Sequence, residues 1–179
     1  DRLARYHNIN HNILFAKEVV NPSDNWNQIA FGVVTKLDGS DLPNFGTSDY
    51  NYFARPVNND NYIEAWKNAW GWAPGDRMAY NLSEWQSAYG KDSHSSPSPI
   101  TVSDPNKIRF EYNASTTSKV VSLDGSYIDV KGAKYNGSIT LAPYTSAVLM
   151  VDPNPSAPPA VPAYVSSEIK DGAPAILEM

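Results

Sequence analysis

Apolar residues in this chain come in short runs set against Asn, Ser, Thr and Tyr. They alternate with polar positions more often than they recur every third or fourth residue. That is the periodicity of strands. Three such runs open the chain, at residues 8–15 (NINHNILF), 29–34 (IAFGVV) and 48–53 (SDYNYF). Asn12 and Asn51 stand 39 residues apart in the first and third runs, with the second about halfway between them. A recurrence near twenty residues, roughly, predicts a solenoid in which strand stacks on strand. Asn suits that role, because stacked amides bond one another and Asn tolerates left-handed corners.

One helix interrupts the strands. Asn81 is an N-cap with Glu84 placed to return the bond, Leu82, Trp85 and Ala88 share a face, and Gly90 follows, which predicts a short helix near 82–89. Residues 62–72 (YIEAWKNAWGW) predict a second, since Tyr62, Trp66 and Trp70 fall four apart before Gly71 and Pro74 end the pattern. From residue 106 the alternation returns as an antiparallel meander. Runs at 120–123 and 127–130 flank Asp124-Gly125, Asn136-Gly137 offers a second hairpin, and a last strand spans 147–151. A sheet of that size must pack on the preceding body.

These shifts in pattern divide the chain into a first unit at 1–103 and an antiparallel unit at 104–152. Residues 152–163 (DPNPSAPPAVPA) hold five prolines in twelve positions, so 153–163 reads as an extended linker. Residues 164–179 read as the start of a following, truncated domain, or as a tail that folds back. The opening at Asp1 leads straight into a strand pattern, as though coils precede it.

Composition narrows the functions. The 179 residues carry a net charge of −5 with no Lys/Arg block, which argues against nucleic acid and anionic membranes as partners. No apolar stretch approaches the ~18–20 residues of a membrane span. The absence of cysteine removes disulfides, thiolate metal sites and cysteine nucleophiles together.

The run Tyr50-Asn51-Tyr52-Phe53-Ala54-Arg55-Pro56, with Leu82-Ser83-Glu84-Trp85-Gln86-Ser87 and Gly90-Lys91-Asp92-Ser93-His94-Ser95, resembles the last coils of right-handed parallel β-helix proteins. Those are widespread among carbohydrate-active bacterial proteins of the Bacteroidetes type. The segment at 137–149 (GSITLAPYTSAVL) is similar to the small β-sandwich caps that follow such helices or glycosidase barrels. The resemblance implies a mostly β chain: terminal coils of a right-handed parallel β-helix over 1–103, one short helix, and a sandwich-like cap. It does not choose a function, since the same fold carries lyases, hydrolases, isomerases and binding modules.

Aromatic residues are the leading candidates for ligand contact, because sugar rings present flat C–H faces to an exposed Trp or Tyr while amides and carboxylates bond the hydroxyls. Tyr62, Trp66, Trp70 and Trp72 form the densest cluster, Trp26 sits in a polar loop, and Tyr52 lies beside Asp49 and Asn51. The competing reading buries the tryptophans, with Trp70 and Trp85 sealing solenoid against helix.

Carboxylate pairs for glycosidic chemistry are unspecific. Asp38 and Asp41 fit turn caps, and Asp60 and Glu64 fit a solvated helical face. Arg55, Lys36 and His11 are available as bases for a lyase, and Asp92 and His94 have the look of an acid–His pair in a surface loop. The loop at 58–61 (NNDN) offers oxygen ligands for calcium without EF-hand spacing. No catalytic residue and no cofactor is assigned.

The expected function is non-catalytic binding of a neutral, xylan-like plant cell-wall polysaccharide, by a secreted or cell-surface bacterial protein with further domains in the same chain. The alternatives are the C-terminal part of a β-helix glycoside hydrolase or polysaccharide lyase whose catalytic coils lie upstream, and a structural cap that seals a solenoid.

Overall fold

The computed structural model describes residues 5–17, 29–35, 39–57, 60–68, 73 and 75–155. Among them the chain is mostly β, with one α-helix. The strands are β1 (His7–Asn10), β2 (Ile13–Phe15), β3 (Phe31–Val34), β4 (Gly46–Asp49), β5 (Tyr52–Ala54), β6 (Ile63–Trp66) and β7 (Arg77–Tyr80). Helix α1 (Leu82–Tyr89) follows, then β8 (Ser96–Pro97), β9 (Ile108–Tyr112), β10 (Lys119–Asp129), β11 (Lys134–Leu141) and β12 (Ser146–Val151).

β1 lies parallel to β4, β2 to β5 and β3 to β6, so each of the first three strands is matched by the one three places later. β8 extends the second pair in parallel, and β7 adds to the third antiparallel, which makes that sheet mixed. The 39-residue offset between Asn12 and Asn51 is real, and it recurs at Asn8/Thr47 and Asn10/Asp49. The twenty-residue period is not. The run at 29–34 stands in a different sheet, where Phe31 pairs with Ile63.

Gly46 opens β4 with φ of +143°, and a Cβ there would run into the backbone of His7. Only glycine lets the two strands meet at that point.

The pleats of β3 and β6 turn Phe31, Val33, Ile63 and Ala65 inward, onto Leu42, Phe45, Phe53, Tyr62, Tyr80, Leu82 and Trp85. Trp85 of α1 is the centre of this core, edge-on to Phe31 at 6.0 Å and to Tyr80 at 6.2 Å. The helix forms as its sequence requires: Asn81 and Glu84 close a capping box, and Gly90 ends it at φ of +62°. The second helix expected at 62–72 is absent from its described part, where residues 63–66 are strand. The spacing of Tyr62 and Trp66 imitated a helical face, but Ile63 and Ala65 carry the period of two.

The last four strands form one antiparallel sheet in the order β11-β10-β12-β9, not a meander. Asp124-Gly125 is no hairpin: it lies in a register shift between Ser122 and Ser126 inside the continuous β10, and Asn136-Gly137 lies opposite within β11. The turn falls instead at 130–133, where Asp129 accepts from the N–H groups of Lys131 and Ala133, both at 2.9 Å. One face of the sheet buries Val121, Leu123, Ile139, Leu141, Ala147 and Leu149 against one another. The other sets Ile128, Val130, Val148 and Met150 against Ala54, Phe15, Ile100 and Val102, which joins the sheet to the parallel strands.

Candidate functional site

The corner between β1 and β2 is His11-Asn12, and the corner between β4 and β5 is Tyr50-Asn51. His11 (φ 60°) and Tyr50 (φ 55°) are the residues in the left-handed region, a conformation that costs a non-glycine about 1–2 kcal/mol. The amides beside them offset that cost. Asn51 Oδ1 accepts from the Asn12 backbone at 2.9 Å, and Asn51 Nδ2 donates to the Ile9 carbonyl at 2.7 Å and to Asp92 at 3.0 Å.

Asp92 is buried and collects four neutral donors. Ser48, Asn51 and Ser95 bond one oxygen and the Trp85 indole bonds the other at 2.9 Å. It ties α1 to the corner, so its role is structural.

Outside this buried knot the corners present rings to solvent. His11 stacks on Tyr50 at 5.1 Å and 8°, and Tyr50 stacks on His94 at 4.8 Å and 7°. Tyr50 remains 48% exposed and the His94 side chain 61%. Beside the rings, side-chain oxygens cap the next step along: Asn10 Oδ1 accepts from Asp49 N at 2.9 Å, and Asp49 Oδ1 from His94 N at 2.7 Å. Asp49 Oδ2 meets His94 Nδ1 at 2.8 Å. Partial burial pulls the Asp49 carboxyl up, but the bonds from the His94 ring, the His94 backbone and the Tyr50 N–H outweigh it and hold the carboxyl below its ordinary value. Thr47 and Asn8 add a hydroxyl and an amide, 3.4 Å apart, on the same exposed strands.

The acid partner of His94 is therefore Asp49, 45 residues away, and not the nearby Asp92. With Asp49 on Nδ1, the neutral ring keeps its lone pair on Nε2. Ser93 Oγ also sits on Nδ1, at 3.2 Å, so the three do not form a nucleophilic triad, which needs the serine on Nε2. Among the described residues no group of three His, Asp or Glu side chains gathers as metal ligands. What the row can do chemically is give and take hydrogen bonds along a line of ring edges.

Comparison with family models, curated proteins and solved structures finds no match to the chain.

The structure separates the residues expected to contact a ligand. Asp49 belongs to the exposed row. Asn51 and Tyr62 are each 1% exposed: the first holds the corner, the second accepts from Leu82 N at 3.1 Å, and neither reaches a ligand at the surface. Trp66 is half-buried with the Arg77 guanidinium 5.5 Å from its ring centre, and Tyr52 is half-buried with the Lys131 ammonium at 5.8 Å. Trp26, Trp70 and Trp72 lie outside the described residues.

The other candidates dissolve into local roles. Glu64 is buried and paired with Arg77, whose Nη2 donates at 2.9 Å; it is not a solvated partner of Asp60. Asp60 instead pairs with the buried Arg55 at 3.3 Å, so Arg55 is closed off as a base. Asp41 accepts from Thr35 at a turn, while Asp38, Lys36, Asn58 and Asn59 lie outside the described residues. The ring row itself was not foreseen. Its signal was present, since His11 and Tyr50 repeat the offset of Asn12 and Asn51.

Proposed function

We propose that this chain forms the end of a right-handed parallel β-helix of the carbohydrate-active type and binds an extended neutral glycan, of which xylan is the type, without transforming it. The observation that carries this reading is the exposed row His11–Tyr50–His94, with Asp49, Asn8 and Thr47 alongside. An extended β-linked glycan advances per sugar by close to the distance between neighbouring strands, roughly 4.8 Å. Lying along the row, it would meet hydroxyl, imidazole and amide partners again at each step. Tyr50 is covered on both faces, so contact is made by ring edges and polar tips, and ring-on-sugar stacking is confined to the two ends of the row. The net charge of −5 favours a neutral polymer over a polyuronate. With this reading goes a secreted or cell-surface setting in a longer bacterial protein, where such polymers are met.

The test is affinity electrophoresis of the chain in gels containing soluble xylan, mixed-linkage glucan, mannan or pectin. Retardation in a neutral glycan, weakened in a folded Tyr50→Ala variant, is the expected result. Unretarded migration in all four gels would overturn it. A purely structural end-cap is the second reading, favoured by the apolar face of the antiparallel sheet that covers Phe15, Ala54, Ile100 and Val102. Under that reading Tyr50→Ala changes stability and no migration.

A further inference from the structure

We propose that the 112–119 corner of the antiparallel sheet is a second binding site, one that takes a pyranose ring of a glycan. The site is separate from the ring row and does not depend on it.

Among the described residues β9 is an edge strand, bonded to β12 alone. Its partners in register are Val148 opposite Phe110 and Ser146 opposite Tyr112. Val148 is buried against the parallel strands, but Phe110 and Tyr112 on the same face of the sheet are each 60% exposed. Among the described residues β9 thus leaves these two rings largely open to solvent. The two rings lie side by side, 6.2 Å apart and 25° from parallel.

Beyond Tyr112 the chain leaves the sheet and walls an open cavity of about 550 Å³, lined by Tyr112, Asn113, Ser115, Thr117, Ser118 and Lys119. The loop is already fixed. The buried Asn113 reaches the carbonyls of Thr117 at 2.7 Å, Ala142 at 3.0 Å and Leu141 at 3.1 Å, and its Oδ1 accepts from Ser115 N and Oγ. Lys119 Nζ rests on the Tyr112 carbonyl at 3.2 Å and stands 5.8 Å from the Tyr112 ring centre. A loop held in this way pays no ordering cost when a ligand arrives.

The lining sets the ligand class. Among the described residues it has one aromatic wall, several hydroxyls and one ammonium, with no carboxylate to hold a cation and no cluster of positive charge to hold a phosphate. A pyranose ring has the matching form, with an apolar C–H face for Tyr112 and a rim of hydroxyls for the serines, Thr117 and Lys119.

The experiment is a titration of the ¹⁵N-labelled chain, followed by amide chemical shifts, with xylohexaose, mannohexaose and trigalacturonate at millimolar concentrations. At least one of the three is expected to move the resonances of residues 110–119. Tyr112→Ala should weaken that binding about tenfold, the loss of one aromatic contact. Lys119→Gln, which leaves the core untouched, should weaken it by a smaller factor, and Tyr50→Ala should leave it unchanged. The site is overturned if no sugar moves the 110–119 resonances, or if Tyr112→Ala titrates as the wild type does. Shifts confined to residues 8–11, 47–50 and 93–95 overturn this site while leaving the ring row standing, and shifts confined to 110–119 do the reverse.

Discussion

The parallel strands of residues 5–103 and the antiparallel sheet of 104–155 solve the same problem by different means. In the first, strands run for only two to four residues and are cut by corners. Each corner strands backbone groups that the ladders do not reach, and a buried polar group without a partner is costly. The chain answers with side chains borrowed from a neighbouring step: Asn10 for Asp49, Asp49 for His94, Asn51 for Asn12. In the second, strands run for five to eleven residues and the backbone bonds itself. Buried polar side chains are needed there chiefly at turns, as Asp129 and Asn113 illustrate. The first half thus adds side-chain hydrogen bonds at its corners to its apolar core, whereas the second relies on backbone ladders and apolar volume.

Two substitutions can break that contrast. Asp92→Ala removes the acceptor of Ser48, Asn51, Ser95 and Trp85 at once, leaving several buried donors unpaired. The expected loss is about 4 kcal/mol of unfolding free energy, measured by chemical denaturation. Leu149→Ala opens a cavity in the antiparallel sheet, where Leu149 is fully buried, and should cost about 3 kcal/mol. If Asp92→Ala costs less than about 1 kcal/mol, the parallel half is held by its apolar core after all, and the contrast fails.

The same contrast explains what could be read from the sequence. Helix α1 was legible because its signals are local: Asn81, Glu84 and Gly90 act within ten residues of one another. The mostly β class was legible from alternation. Partner choice was not, because two sheets share the 39-residue offset while the third takes another, and Phe31 finds Ile63 rather than a neighbour of Asn12. Asp124-Gly125 and Asn136-Gly137 carry hairpin chemistry, yet they face each other across a bulge in two long strands, where tertiary pairing overrides the turn preference. In the candidate site, Asp49 was legible as a polar residue beside a strand. For His94, sequence proximity points to Asp92, the wrong carboxylate, and only the stacking of corners brings Asp49 to it.

The smallest effect concerns acid. Both halves hold carboxyls below their ordinary value: Asp49 in the parallel half by the balance described above, and Asp152 in the sheet through Lys134 and the Asn154 N–H. A carboxyl whose folded value is depressed contributes stability that is fully present above its unfolded value, about 3.9 for Asp, and is lost as pH falls through the lower folded value. Asp49→Asn discards that contribution at every pH while Asp152 retains its own. The stability difference between wild type and Asp49→Asn should therefore stay level from neutral pH down to about pH 5. It should shrink below about pH 4, where the wild-type carboxyl takes up its proton. Denaturant midpoints measured across that range decide the matter. A difference that begins to close well above pH 5 would mean that Asp49 is not the depressed group, and that the row of corners is held together without its charge.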